Sequence, residues 1–145
     1  VEYNTFNNNT AQANGGVMWI VADGFPVQMI SIQNNTFTDN SAQRGGVMHI
    51  QGYYAAQPNN PTQSINVRNN VFANNHATNG GILFSDNPNT ISILLDEMII
   101  SESTTTDIVV VASSNQATFK LTNLHIIQPS PDYFIGTITA NTIWW

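Results

Sequence analysis

The chain has 145 residues, 8% of them charged, with Lys+Arg 3 against Asp+Glu 9 and a formal net charge of −6. So few basic side chains leave no electrostatic footprint for nucleic acid or an anionic membrane surface. The absence of cysteine excludes disulfides and thiolate metal sites, and no apolar run approaches the roughly 18–20 residues of a membrane span.

From the N-terminus onward, one pattern is written three times. Phe6-Asn7-Asn8-Asn9 leads to Gly15-Gly16-Val17-Met18, Phe37-Thr38-Asp39-Asn40 to Gly45-Gly46-Val47-Met48, and Phe72-Ala73-Asn74-Asn75 to Gly80-Gly81-Ile82-Leu83. Self-similarity of this period marks a solenoid, in which each unit buries its apolar face only by stacking on the next. Val1 holds the second place of an alternating apolar pair that returns as Ile30/Ile32, Ile65/Val67, Ile91/Ile93, Phe119/Leu121 and Ile143/Trp145, dividing the chain into five turns. Short runs with period-two alternation, β-branched residues and no helical spacing predict strands. The expected fold class is therefore all-β: a right-handed parallel β-helix of about five coils, with no substantial helix. Residues 1–145 read as one segment of a longer solenoid, because no methionine opens the chain and strand positions, Val1 and Trp144-Trp145, stand at its two ends.

Each repeat should bend where its alternation breaks, at Asn34-Asn35 and Asn69-Asn70, with Asp96 and Asn123 in the corresponding places further on. Asparagine tolerates the left-handed conformation that such bends need. Equal phase predicts three stacks: rings Phe6/Phe37/Phe72, amides Asn4/Asn35/Asn70 continued by Asp96, and amides Asn9/Asn40/Asn75, with Ala11/Ala42/Ala77 behind them. Stacked amides can hydrogen-bond from unit to unit. The glycine pair reads as a corner that admits the backbone of the next strand closely, since the strand-to-helix context of a phosphate-binding loop is missing. Thr106-Asp107 and Phe134-Ile135 take its place in the later repeats.

After the corner come two rows. Met18/Met48/Leu83/Val109 is uniform, as an inner stack should be. Trp19/His49/Phe84/Val110 is the other, and we place it outside, where Trp19, His49 and Phe84 form a candidate binding face for a sugar or another protein. An inward orientation would make it ordinary packing. Both faces of this strand are apolar, so something should cover the outer one. The insertion Gln51 to Gln63, with Tyr53, Tyr54, Pro58 and Pro61, is a candidate recognition loop.

Catalytic chemistry is weakly signalled. Asp39 is the only acid in a turn that carries Asn8 and Asn74 in adjacent repeats, so no acidic column forms. Asp96/Glu97 are adjacent in a bend region, and Glu102 with Asp107 falls on the next turn of the same repeat. Arg44, Arg68 and Lys120 have no carboxylate assignable by phase. His49, His76 and His125 lie at different phases and make no metal column. No catalytic residue, metal site or cofactor is expected. The sequons Asn8-Asn9-Thr10 and Asn34-Asn35-Thr36 make Asn8 and Asn34 candidate N-glycosylation acceptors.

The ordered FxxN and GGxx motifs resemble the repeats of chlamydial polymorphic outer-membrane proteins and related pectin-lyase-like β-helix surface proteins. The resemblance covers residues 1–85 well and the remainder only by apolar register. It implies the exported passenger of an autotransporter, acting in adhesion. The function expected is a non-catalytic scaffold or adhesion segment, extracellular or at the cell surface. Its partners would be further coils of its own chain, other subunits or a glycan. A filament subunit is the alternative, and a polysaccharide-active enzyme a weaker one.

Overall fold

The structure is a computed structural model describing residues 1–22, 29–52, 63–86, 91–101, 109–111, 117–127, 134–135, 137–140 and 143–144. All regular structure among these residues is strand. The first repeat supplies β1 (Thr5–Asn7) and β2 (Met18–Ala22). The second supplies β3 (Met29–Gln33), β4 (Thr36–Thr38), β5 (Ser41–Arg44) and β6 (Met48–Gly52). The third follows with β7 (Gln63–Arg68), β8 (Val71–Ala73), β9 (His76–Asn79) and β10 (Leu83–Ser85). Beyond it lie β11 (Ile91–Asp96), β12 (Ile99–Ser101), β13 (Val109–Val111), β14 (Ala117–Thr122), β15 (Leu124–Ile127), β16 (Phe134–Ile135), β17 (Thr137–Ala140) and β18 (Ile143–Trp144).

Equivalent strands of successive repeats pair, always in parallel. Among the described residues they form sheets β1-β4-β8-β12-β15-β18, β2-β6-β10-β13-β16, β3-β7-β11-β14-β17 and β5-β9. Because pairing joins like to like, aliphatic and aromatic positions form stacks of similar residues. Ile65 and Ile93 are fully buried, and Ile32, Val67 and Leu95 continue beside them. Phe37 stacks between Phe6 and Phe72, with ring centroids 5.1 and 5.0 Å apart and interplanar angles of 7° and 11°. Those separations follow from the spacing of paired strands, about 4.8 Å. Ile100 and Ile126 extend the column in the later repeats.

Three features of the register differ from the reading of the sequence. Val67 pairs with Leu95, whereas Ile93 pairs with Ile65. Ile91, Ile93 and Leu95 alternate in the sequence, so either register matches two apolar residues to Ile65 and Val67, and hydrophobicity cannot choose between them. The strand equivalent to Phe119/Leu121 is Ile138/Ala140, while Ile143 pairs with Leu124. Finally, Phe134 and Ile135 pair with Val109 and Val110, which puts them in the strand after the corner instead of at the corner. Thr106-Asp107, the other proposed replacement of the glycines, lies outside the described residues.

Left-handed residues mark the turns. One bend has φ 57, 55, 52 and 52 at Asn34, Asn69, Glu97 and Asn123, and the next has 57, 54 and 54 at Asn8, Asp39 and Asn74. Glu97, not Asp96, is therefore the bend residue of its repeat. At the corner Gly45 has φ 63, and a Cβ on Gly46 would run into the backbone carbonyl of Gly81 in the next repeat. The first glycine supplies the turn and the second the close approach.

Candidate functional site

The amide stacks are the most heavily bonded side-chain polar groups among the described residues. Asn35 Oδ1 accepts from the backbone N–H of Asn4 at 2.9 Å and its Nδ2 at 3.3 Å, and Asn70 Oδ1 takes the same two donors from Asn35 at 2.8 and 3.1 Å. Asn70 Nδ2 in turn donates to the carbonyls of Ile32 and Arg68. Asn9, Asn40 and Asn75 repeat the arrangement at the next turn. Asn35, Asn40, Asn70 and Asn75 are all buried. Their chemistry is consumed internally, so these residues hold neighbouring repeats together and offer little to a ligand. The first stack does not continue through Asp96. Asp96 pairs in register with Arg68, and Met98, buried, follows Asn70. Outside it, Asn69 Nδ2 donates to Asn34 Oδ1 at 2.8 Å and Asn123 Nδ2 to Asp96 Oδ1 at 3.3 Å.

Chemistry facing outward gathers on the sheet β2-β6-β10. Trp19, His49 and Phe84 stand opposite one another in register, yet they do not make an open platform of three rings. Trp19 is 58% exposed, whereas His49 is 0% and Phe84 5% exposed. The covering groups are specific. Arg44 reaches from the end of β5 to lie over Phe84, 5.9 Å from the ring centroid. Asp86, just beyond β10, comes within 3.3 Å of His49 Nε2 and 3.7 Å of Arg44 Nη1. The His49 and Phe84 rings pack against each other at 5.2 Å with a 59° tilt. Trp19 Nε1 donates to Gln51 Oε1 at 3.1 Å, which ties the exposed indole to the neighbouring repeat.

His49 is electrostatically unusual. Its Nε2 and Asp86 Oδ1 are close but misaligned, and both imidazole nitrogens and that oxygen are buried without a hydrogen-bond partner among the described residues. Burial holds the imidazole below its ordinary pKa, and the Asp86 carboxylate opposes this in part while Arg44 reinforces it. Folding thus favours the neutral ring. That contribution is complete above the unfolded pKa of about 6.5 and is lost as pH falls through it toward the depressed folded value. Melting temperature measured from neutral pH to about pH 5 should fall more steeply in the native chain than in His49→Phe; parallel curves would remove His49 as the cause.

The remaining candidates are dispersed. Arg68 Nε lies 3.3 Å from Asp96 and 3.1 Å from Glu97, so the acidic pair singled out for catalysis is tied to a cation. The reading that no carboxylate is assignable by phase is corrected for Arg68 and not for Arg44, although both have an acidic partner. Arg68 and Asp96 face each other directly in register, a signal concealed by the two-residue slip in β11. Arg44 meets Asp86 across the corner, where equal phase in successive repeats gives no guidance. His76 and His125 are exposed on other sheets. Asn8 is exposed and Asn34 half-buried at left-handed turns. Tyr53, Tyr54, Glu102 and Asp107 lie outside the described residues. No protein-family model, curated protein or solved structure matches the chain.

Proposed function

We propose that the chain is a right-handed parallel β-helix segment serving as a non-catalytic scaffold in adhesion, secreted or displayed at a cell surface. The observation that supports it most is the stacking of like on like: every parallel pair joins equivalent positions, and side-chain amides repeat the join at two turns. Parallel connections are overwhelmingly right-handed, which gives the winding its hand. Such a body is held by contacts between neighbours, so its exposed rows tolerate change without loss of the frame. Catalysis has less support, because Asp86, Asp96 and Glu97 each sit beside an arginine. Glycan hydrolysis needs an acid and a second carboxylate facing the substrate.

Beads coated with the chain should adhere to cells or extracellular matrix above beads coated with a heat-denatured control. Equal retention would defeat the adhesive reading, and release of reducing ends from a polysaccharide, abolished by Asp96→Asn, would defeat the non-catalytic one. A structural subunit of a filament is the second reading. In its favour, β1 and β2 end their sheets and pair on one side only among the described residues, whereas the outer edge of β3 is met by Val1 and Glu2, and unpaired edges recruit further strands. Sedimentation decides between them: open-ended, concentration-dependent assembly favours the filament, whereas a monodisperse monomer favours the scaffold.

A further inference from the structure

We infer that the outer face of β2, β6 and β10 carries a binding subsite for a neutral sugar ring, with Trp19 as its platform. The inference deepens the adhesive reading and rests on it. Trp19 is the one open ring of its row, 58% exposed, and the bond from Nε1 to Gln51 anchors the indole's edge. A fixed aromatic ring binds at low cost in conformational entropy, and its π face suits the C–H face of a pyranose. Polar groups flank it in the next row. Gln51 is opposite Val21 in register, and the backbone N–H of Asp86 bonds to the carbonyl of Ile50, so Gln51 and Asp86 stand on neighbouring strands. Asp86 and Arg44 remain partly exposed, with side-chain accessibilities of 22% and 44%. Together they present an acceptor and planar donors, the pattern that reads vicinal hydroxyl groups.

Size and charge decide the class of ligand. A stable protein interface buries about 800 Å² on each partner and centres on a cluster of anchors. Burial of His49 and Phe84 leaves a single open ring in this row, which is sugar-sized. Arg44 is already engaged with Asp86, and the chain is −6 overall, so nothing here favours a uronate or sulfated sugar over a neutral one.

The test is titration of the full chain with cellotetraose, chitotetraose and mannotetraose, and separately with a heparin tetrasaccharide. The readout is the indole N–H resonance of Trp19, assigned by its loss in Trp19→Phe. At least one neutral oligosaccharide should shift that resonance at millimolar concentration. Affinity, followed by calorimetry, should weaken about tenfold in Trp19→Ala and less in Gln51→Ala, with the thermal melt of both variants unchanged because Trp19 is on the surface. Response to heparin alone, no response to any neutral sugar, or undiminished affinity in Trp19→Ala each overturns the inference. Reducing-end release in the same samples, abolished by Asp96→Asn, would instead overturn the non-catalytic reading and leave the binding subsite standing.

Discussion

Phe37→Ala is expected to destabilise the chain by about 3–5 kcal/mol, the range for removing a fully buried ring from a core that cannot collapse around the void. Phe37 has no exposed surface and stacks on a ring at each face. Its loss therefore leaves Phe6 and Phe72 both facing a cavity. Phe6 is only partly buried and stacks on Phe37 alone, so Phe6→Ala should cost clearly less. The position of Phe37 adds a second consequence. Where stability is a sum of neighbour contacts, breaking one contact uncouples what lies on either side. Hydrogen exchange in Phe37→Ala should show β1 and β4 opening before β8 and β12. Chemical denaturation gives the magnitude, and equal costs for the two phenylalanines would contradict the column.

How much of this was legible in the sequence depends on what each signal encodes. Three phenylalanines at equal phase gave the ring column directly, because parallel pairing of repeats carries sequence phase into spatial adjacency. The asparagine stacks were legible for the same reason, and the first of them ends at Asn70 because Met98 stands at the equivalent place in the next repeat. Beyond that repeat, period-two alternation alone remained, and it fixes a face without fixing a register. The slip at Ile91, Ile93 and Leu95 came from this degeneracy, and with it went the Arg68–Asp96 pair. The ring row was placed outside because the row beside it, Met18/Met48/Leu83/Val109, is more uniform; Trp19 is exposed, but uniformity carries no information about burial of His49 and Phe84 by side chains arriving from elsewhere. Arg44 crosses the corner and Asp86 lies past the end of β10, so neither shares a phase with the rings it covers. What sequence concealed at the candidate site was thus the content of corners, where the repeat no longer dictates geometry.

The second large effect is expected at Asn40. Its Oδ1 accepts from the backbone N–H of Asn9 at 3.1 Å and from Asn9 Nδ2 at 2.9 Å, while its Nδ2 donates to the Phe6 carbonyl at 3.1 Å and to Asn75 Oδ1 at 2.9 Å. The orientation of the amide is forced, since a backbone N–H can be met only by an acceptor. In Asn40→Ala the Phe6 carbonyl and the two Asn9 donors lose this partner, while Asn75 Oδ1 keeps the backbone N–H of residue 40. At about 1–3 kcal/mol for each unsatisfied group, with some relief from water on the Asn9 side, the net cost should be about 2–4 kcal/mol. Asn9 is exposed, so Asn9→Ala should cost less. Asn40→Asp separates amide pairing from mere turn formation. A carboxylate can still accept from Asn9, but it cannot donate to Phe6, and it places negative charge against Asn75 Oδ1. At neutral pH Asn40→Asp should therefore be at least as damaging as Asn40→Ala. It should recover stability on acidification, when the protonated carboxyl regains a donor: burial and the acceptor oxygens of Phe6 and Asn75 facing it disfavour the charged form in the folded chain. If Asn40→Asp were instead as stable as the native chain at neutral pH, only the left-handed turn beside it, at Asp39, would matter. Donation by the amide to Phe6 and Asn75 would then contribute nothing measurable.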